Sequence, residues 1–243
     1  MFTLFLIGNI ASGKSFAARE LERRGARRID LDELAKGLYV PGSPLVTEIA
    51  EAFGHDVLDA DGEVRRAVLA SRAFASPEET ARLDALVRPA LMEQLGHRLL
   101  PANCCSVTVP THPLTVVEVS APRGFEEAFG LADGVVAITA PLDARRERAI
   151  ARGMLADDFD RRAEVQPTED EIAAMADAVI DNTAADDSLM RELDAYLAAH
   201  DVELPGPAAP ASSASLSASA PGDTPGDAPA TPSDPRRNER AHA

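Results

Sequence analysis

The chain has 243 residues, 45% of them hydrophobic, which is enough to bury one substantial core. A formal net charge of −16 argues against a free-standing nucleic-acid binder, which would carry a basic face. No apolar run approaches the ~20 residues that crossing a membrane requires, and Met1 leads into an apolar stretch without a basic leader, so the expectation is a cytoplasmic protein.

Phe2-Thr3-Leu4-Phe5-Leu6-Ile7 reads as a short buried strand. It runs into Gly8-Asn9-Ile10-Ala11-Ser12-Gly13-Lys14-Ser15, a full match to G-x-x-x-x-G-K-[ST], and a helical stretch from Phe16 to Arg23 leads out. Gly8 and Gly13 let the backbone turn so that successive N–H groups point inward at phosphate oxygens. The helix that follows aims its positive end at the same place. Lys14 then reaches the β- and γ-phosphates, and the Ser15 hydroxyl is placed for Mg²⁺. The chain has only two lysines, Lys14 and Lys36, and otherwise uses arginine for positive charge. A lysine at this position therefore argues against an incidental glycine turn. The candidate nucleotide contacts are Gly8, Asn9, Ile10, Ala11, Ser12, Gly13, Lys14, Ser15 and Phe16.

Gly25 stops the first helix, and Ala26 to Asp30 reads as the second strand, ending in Asp30-Leu31-Asp32. In an open α/β sheet, ligands sit beyond the carboxyl ends of the strands, so both acids lie on the edge that carries the loop. Asp32 is the candidate base toward an attacking hydroxyl, and Asp30 a candidate for Mg²⁺; alternatively, one of them caps the helix starting near Glu33. Helices follow at Leu45 to Phe53 and Glu63 to Phe74, and a long one opens at Ser76-Pro77-Glu78-Glu79, with Pro89 expected to kink it. Residues 41–100 are thus a helical insertion, expected to wall a substrate pocket.

Cys104 and Cys105 are adjacent and read as reduced thiols, since neighbouring cysteines rarely bridge. Leu114 to Val119 is the third strand, where Glu118 is either an acid touching Mg²⁺ through water or the last polar residue of an edge strand. Gly134 to Thr139 is the fourth. Pro141 opens an amphipathic helix carrying Arg145, Arg146, Arg148 and Arg152. The polar stretch 153–166 reads as a lid whose Arg161 would reach the nucleotide, or else as a solvated face. Thr168-Glu169-Asp170-Glu171 is a capping box, Ala178 to Ile180 a fifth strand, and Asp186 to His200 a last helix. From residue 204 onward, Pro, Ala, Ser and Gly dominate, and the expectation is a disordered tail. The order predicts an α/β fold of the P-loop NTPase type: a doubly wound, parallel, five-stranded sheet with an insertion and a lid.

The same residues resemble the dephospho-CoA kinase family, in blocks from Leu4 to about Leu189. Gly8 to Ser15 is similar to the family's phosphate loop, and Ile29-Asp30-Leu31-Asp32-Glu33-Leu34-Ala35-Lys36 to its base-carrying segment. Pro41 to Pro44, Asp61 to Arg66, Phe74 to Glu79 and Leu83 to Pro89 resemble its next helices, and Ala176 to Asn182 its fifth strand. The resemblance implies ATP with Mg²⁺, dephospho-CoA as the small-molecule substrate, and Asp32 and Lys14 as the catalytic pair; a monomer is expected. It departs from the family pattern at Asn9 and Ala11, which replace glycines, at Arg88, which replaces histidine, and at Glu169 to Glu171. Read without the resemblance, the residues also admit another P-loop small-molecule kinase, or a nucleotide-binding protein that has lost transfer.

Overall fold

Five strands lie parallel in the order β2-β3-β1-β4-β5: β1 (Phe2–Ile7), β2 (Arg27–Asp30), β3 (Leu114–Val119), β4 (Gly134–Thr139) and β5 (Ala178–Asp181). The computed structural model describes residues 1–99, 112–184 and 186–204, all within the compact unit Met1–Ala208. The cysteine pair and the tail expected from residue 204 onward lie outside them, apart from Leu204 itself. Among the described residues, no helix is long and apolar enough to cross a membrane.

β1, β3 and β4 are apolar on both faces because helices cover both sides of the sheet. Leu4 and Leu6 of β1 face α1 (Lys14–Arg23) and α9 (Ser188–Ala199), packing with Ala17, Leu21, Leu189 and Leu193. Phe5 and Ile7 face the other side, where Leu91, Leu95 and Leu99 of α5 (Pro77–Leu99) and Ile172 of α8 (Glu169–Ala174) close over them. The insertion has a core of its own: Leu45, Ile49 and Phe53 of α3 (Pro44–Phe53) pack on Leu69 of α4 (Arg66–Ala73) and on Leu83. The 23-residue α5 serves both cores, the first half facing the insertion and the second half the sheet. It runs through Pro89 without interruption.

Three expectations shift. The helix foreseen from Glu63 starts at Arg66, because Leu58 and Val64 pair across a turn in which Asp59 accepts N–H bonds from Asp61 and Glu63. A 3-10 segment, Glu126–Leu131, follows β3 unannounced. The lid stretch, read from sequence only as polar, contains α7 (Ala156–Glu164), which packs on α6 (Leu142–Ala151) and carries the fully buried Phe159. Ser43 caps α3 and Thr168 caps α8 with a complete capping box.

Candidate active site

The loop between β1 and α1 has the backbone that its glycines predict. Gly8 and Gly13 stand at φ 153° and 119°, and an added Cβ at Gly8 would meet Ile138 O at 2.5 Å. At Gly13 it would lie 2.2 Å from Asn182 Nδ2, which donates to Ser12 O at 2.7 Å. Gly13 brings no side-chain cap to α1, so the first amides of that helix are left for a ligand. Ala11 also has positive φ, 61°, at a place where the resembling family carries glycine.

The outer arm of the loop is fastened to the segment joining α7 to α8. Asn9 Nδ2 donates to Pro167 O and to Glu169 Oε1, each at 2.9 Å, and Ile10 N donates to Gln166 Oε1 at 3.0 Å. Arg145 of α6, buried, pairs with Glu169 at 3.1 Å and donates to Ala140 O and Ile10 O. The arginine that reaches the loop is therefore Arg145. Arg161 is exposed on α7 and pairs with Asp158 one turn back. Sequence reading passed over Gln166 and placed Asn9 only as a loop position; the signal was a large amide where a glycine is usual.

On the other side of the loop stand the acids. Glu118 is 3% exposed on β3, an interior strand rather than an edge, with β1 and β2 as its neighbours. The Ser15 hydroxyl donates to Glu118 Oε1. Asp30 lies opposite Glu118 in the β2–β3 register and caps α2 (Leu31–Lys36), its Oδ1 accepting from Asp32 N and Glu33 N. Its Oδ2 pairs with Arg28 at 2.6 Å. The capping role foreseen for one of the two acids thus falls to Asp30, and Asp32 is left exposed in the first turn of α2. Burial pushes the Lys14 ammonium below its ordinary value, and Glu118, Asp32 and Asp30 oppose that fall by Coulombic attraction. Lysine, serine and the three carboxylates therefore share one site. Phe16, next on α1, is exposed.

Among the described residues, no group of three or more His, Cys, Asp and Glu is placed to hold a metal ion. A hydroxyl and a carboxylate oxygen in contact beside a phosphate loop are nevertheless hard-oxygen donors of the kind Mg²⁺ takes alongside substrate phosphates. Ser15 and Glu118 fit such an ion.

A parallel sheet in this order, a phosphate loop at its centre and acids near the carboxyl ends of β3 and β2 define a P-loop kinase of the small-molecule class. The dephospho-CoA kinase family model matches residues 2–187. The chain belongs to the dephospho-CoA kinase family. It is 38% identical over 190 residues to the dephospho-CoA kinase of Corynebacterium diphtheriae, covering 76% of this chain and 90% of that one. To that of Anaeromyxobacter dehalogenans it is 38% identical over 200 residues, covering 82% and 92%. A solved structure from Thermus thermophilus superposes with a TM-score of 0.64 at 30% identity, over 82% of this chain and 97% of that one.

Proposed function

We propose that the protein transfers the γ-phosphoryl group of ATP to the ribose 3′-hydroxyl of dephospho-CoA, the last step of coenzyme A biosynthesis. The observation that carries the proposal is the gathering of Lys14, Ser15, Glu118 and Asp32 around one loop in a chain of this family. The loop amides and Lys14 hold the phosphates and answer the charge that spreads over the γ-phosphoryl as it moves. Ser15 and Glu118 would hold Mg²⁺, which supplies further charge neutralisation when bound. Asp30, whose oxygens serve the α2 cap and Arg28, would support such an ion only indirectly, through its neighbours. Exposed in the first turn of α2, Asp32 takes the proton from the 3′-hydroxyl. The insertion of α3, α4 and the first half of α5 forms the wall for the remainder of the substrate, and α7 is the lid.

The test is ADP release with Mg²⁺ and ATP, with and without dephospho-CoA. Dependence on the acceptor, with product phosphorylated at the 3′ position, is expected. Equal ADP release without it, or transfer to an unrelated alcohol at comparable kcat/KM, would overturn the assignment.

A further inference from the structure

Arg28 stands between two carboxylates that serve different parts of the site. Its Nη2 donates to Glu118 Oε2 at 2.7 Å and to Asp30 Oδ2 at 2.6 Å. The other oxygen of Glu118 accepts from the Ser15 hydroxyl, and the other oxygen of Asp30 caps the helix that carries Asp32. One guanidinium thus joins the metal-side serine of the phosphate loop to the base-carrying helix. The contact follows from register: Arg28 precedes Asp30 by two residues, which places both on one face of β2, and Asp30 lies opposite Glu118 on β3. The Arg28 side chain is 12% exposed, against 4% for Glu118, so the pair is screened little by solvent.

The charges around it give this contact a consequence for phosphate binding. Lys14 is buried, with Glu118, Asp32 and Asp30 in electrostatic reach. A bare Glu118 carboxylate would compete with an incoming triphosphate for that ammonium. We propose that Arg28 is a positioning residue that neutralises Glu118 and Asp30 together, and so leaves Lys14 free for the nucleotide's phosphates. The proposal rests on the phosphate-site assignment above. Nothing in the sequence pattern singled Arg28 out, since in Ala26 to Asp30 it reads as one of two adjacent arginines in a short second strand.

A purely structural ion pair makes a different prediction, so sign and rescue separate the two roles. Arg28 also lines a cavity of about 670 Å³ bounded by β2, α2 and α5. A shorter side chain there opens onto space that water can enter, rather than leaving a sealed void. The measurement is the Kd of ATP in EDTA by titration calorimetry on the full chain, with melting followed in parallel. Without metal, the phosphates depend on the protein's own cations. Arg28→Met is expected to weaken binding about tenfold, as removal of a charge that offsets a buried acid does. Glu118→Gln is expected to tighten it about threefold, and the double variant to return within about threefold of the parent, because Lys14 then has one fewer competing acid. If Arg28→Met binds metal-free ATP as the parent does, or if the double variant binds no better than Arg28→Met, the proposal is wrong. Should Arg28→Met fail to fold, Arg28→Lys decides: it keeps the charge and should stay within about threefold of the parent, and a loss near tenfold refutes the charge argument. A parent that binds no ATP at all instead defeats the phosphate-site assignment on which this rests.

Discussion

Replacing Gly13 with Ala tests whether the phosphate loop is held in place by Asn182, the residue after β5. The variant faces two separate penalties. At φ 119° an L-residue is strained, which costs about 1–3 kcal/mol. The new Cβ would also lie 2.2 Å from Asn182 Nδ2, so the amide must withdraw and give up its 2.7 Å bond to Ser12 O. Asn182 is 6% exposed, and a buried amide left without its partner costs about 1–3 kcal/mol. Together the penalties come to about 2–6 kcal/mol, or about 4–24 °C in Tm at ~2–4 °C per kcal/mol for a domain of this size. Asn182→Ala alone loses the same hydrogen bond, together with the packing of its side chain. The double variant therefore loses that bond once, where the two single variants count it twice. It should be more stable than the sum predicts by about 1–3 kcal/mol. Urea denaturation followed by circular dichroism on all four proteins measures the coupling. Additivity within about 0.5 kcal/mol would show that Gly13 is not pressed against Asn182, and that the glycine serves the ligand alone.

Asp32→Asn should lower single-turnover transfer by ~10²-fold or more while ATP affinity stays within a few-fold of the parent; transfer at the parental rate would refute its role as base. Ala11→Gly removes a left-handed alanine at φ 61°, a strain of about 1–2 kcal/mol, against about 0.4–1 kcal/mol of added chain entropy in the unfolded state. A small rise in Tm is expected, and a clear fall would show that the methyl group makes contacts that outweigh the strain. Backbone and hydroxyl hydrogen bonds from Thr168, with Arg123 nearby, hold the Glu171 carboxyl below its ordinary value of 4.5. Its contribution is then present above pH 4.5 and fades as pH falls through the depressed value. Glu171→Ala should melt below the parent at pH 7, with the gap narrowing in acid; a gap independent of pH would place its origin in packing rather than charge.

The parts of the fold that were readable from sequence are those with one physical cause each. β1, β3 and β4 are short apolar runs buried on both faces, and the loop, the Ser43 cap and the Thr168 capping box are fixed local patterns. Helix α7 escaped because Phe159 is its only fully buried side chain, too little to mark a period in so polar a stretch. The choice between Arg145 and Arg161 was hidden for a related reason. Composition shows how many arginines border the lid, but only the packing of α6 against the loop shows which one is turned inward. Glu118 had two open readings because strand order cannot be seen in a linear chain, and that order puts β3 inside the sheet. Asp30 and Asp32 were separated by a cap whose partners lie two and three residues on, a distinction settled by where β2 ends.

The strand order also divides the site by local stability. β1, which leads into the phosphate loop, is paired with β3 along its whole length and with β4 from Leu4 to Ile7. β2, which leads into α2 and Asp32, is a four-residue strand at the sheet's edge, with β3 as its single neighbour among the described residues. Amide protons of β1 should therefore exchange only when the whole domain opens, whereas those of β2 can exchange through a smaller, cheaper opening. The loop proposed to cradle the donor's phosphates and Asp32, proposed to activate the acceptor, should then belong to different cooperative units. As denaturant is added, the chain should lose its ability to transfer before it loses its grip on the nucleotide.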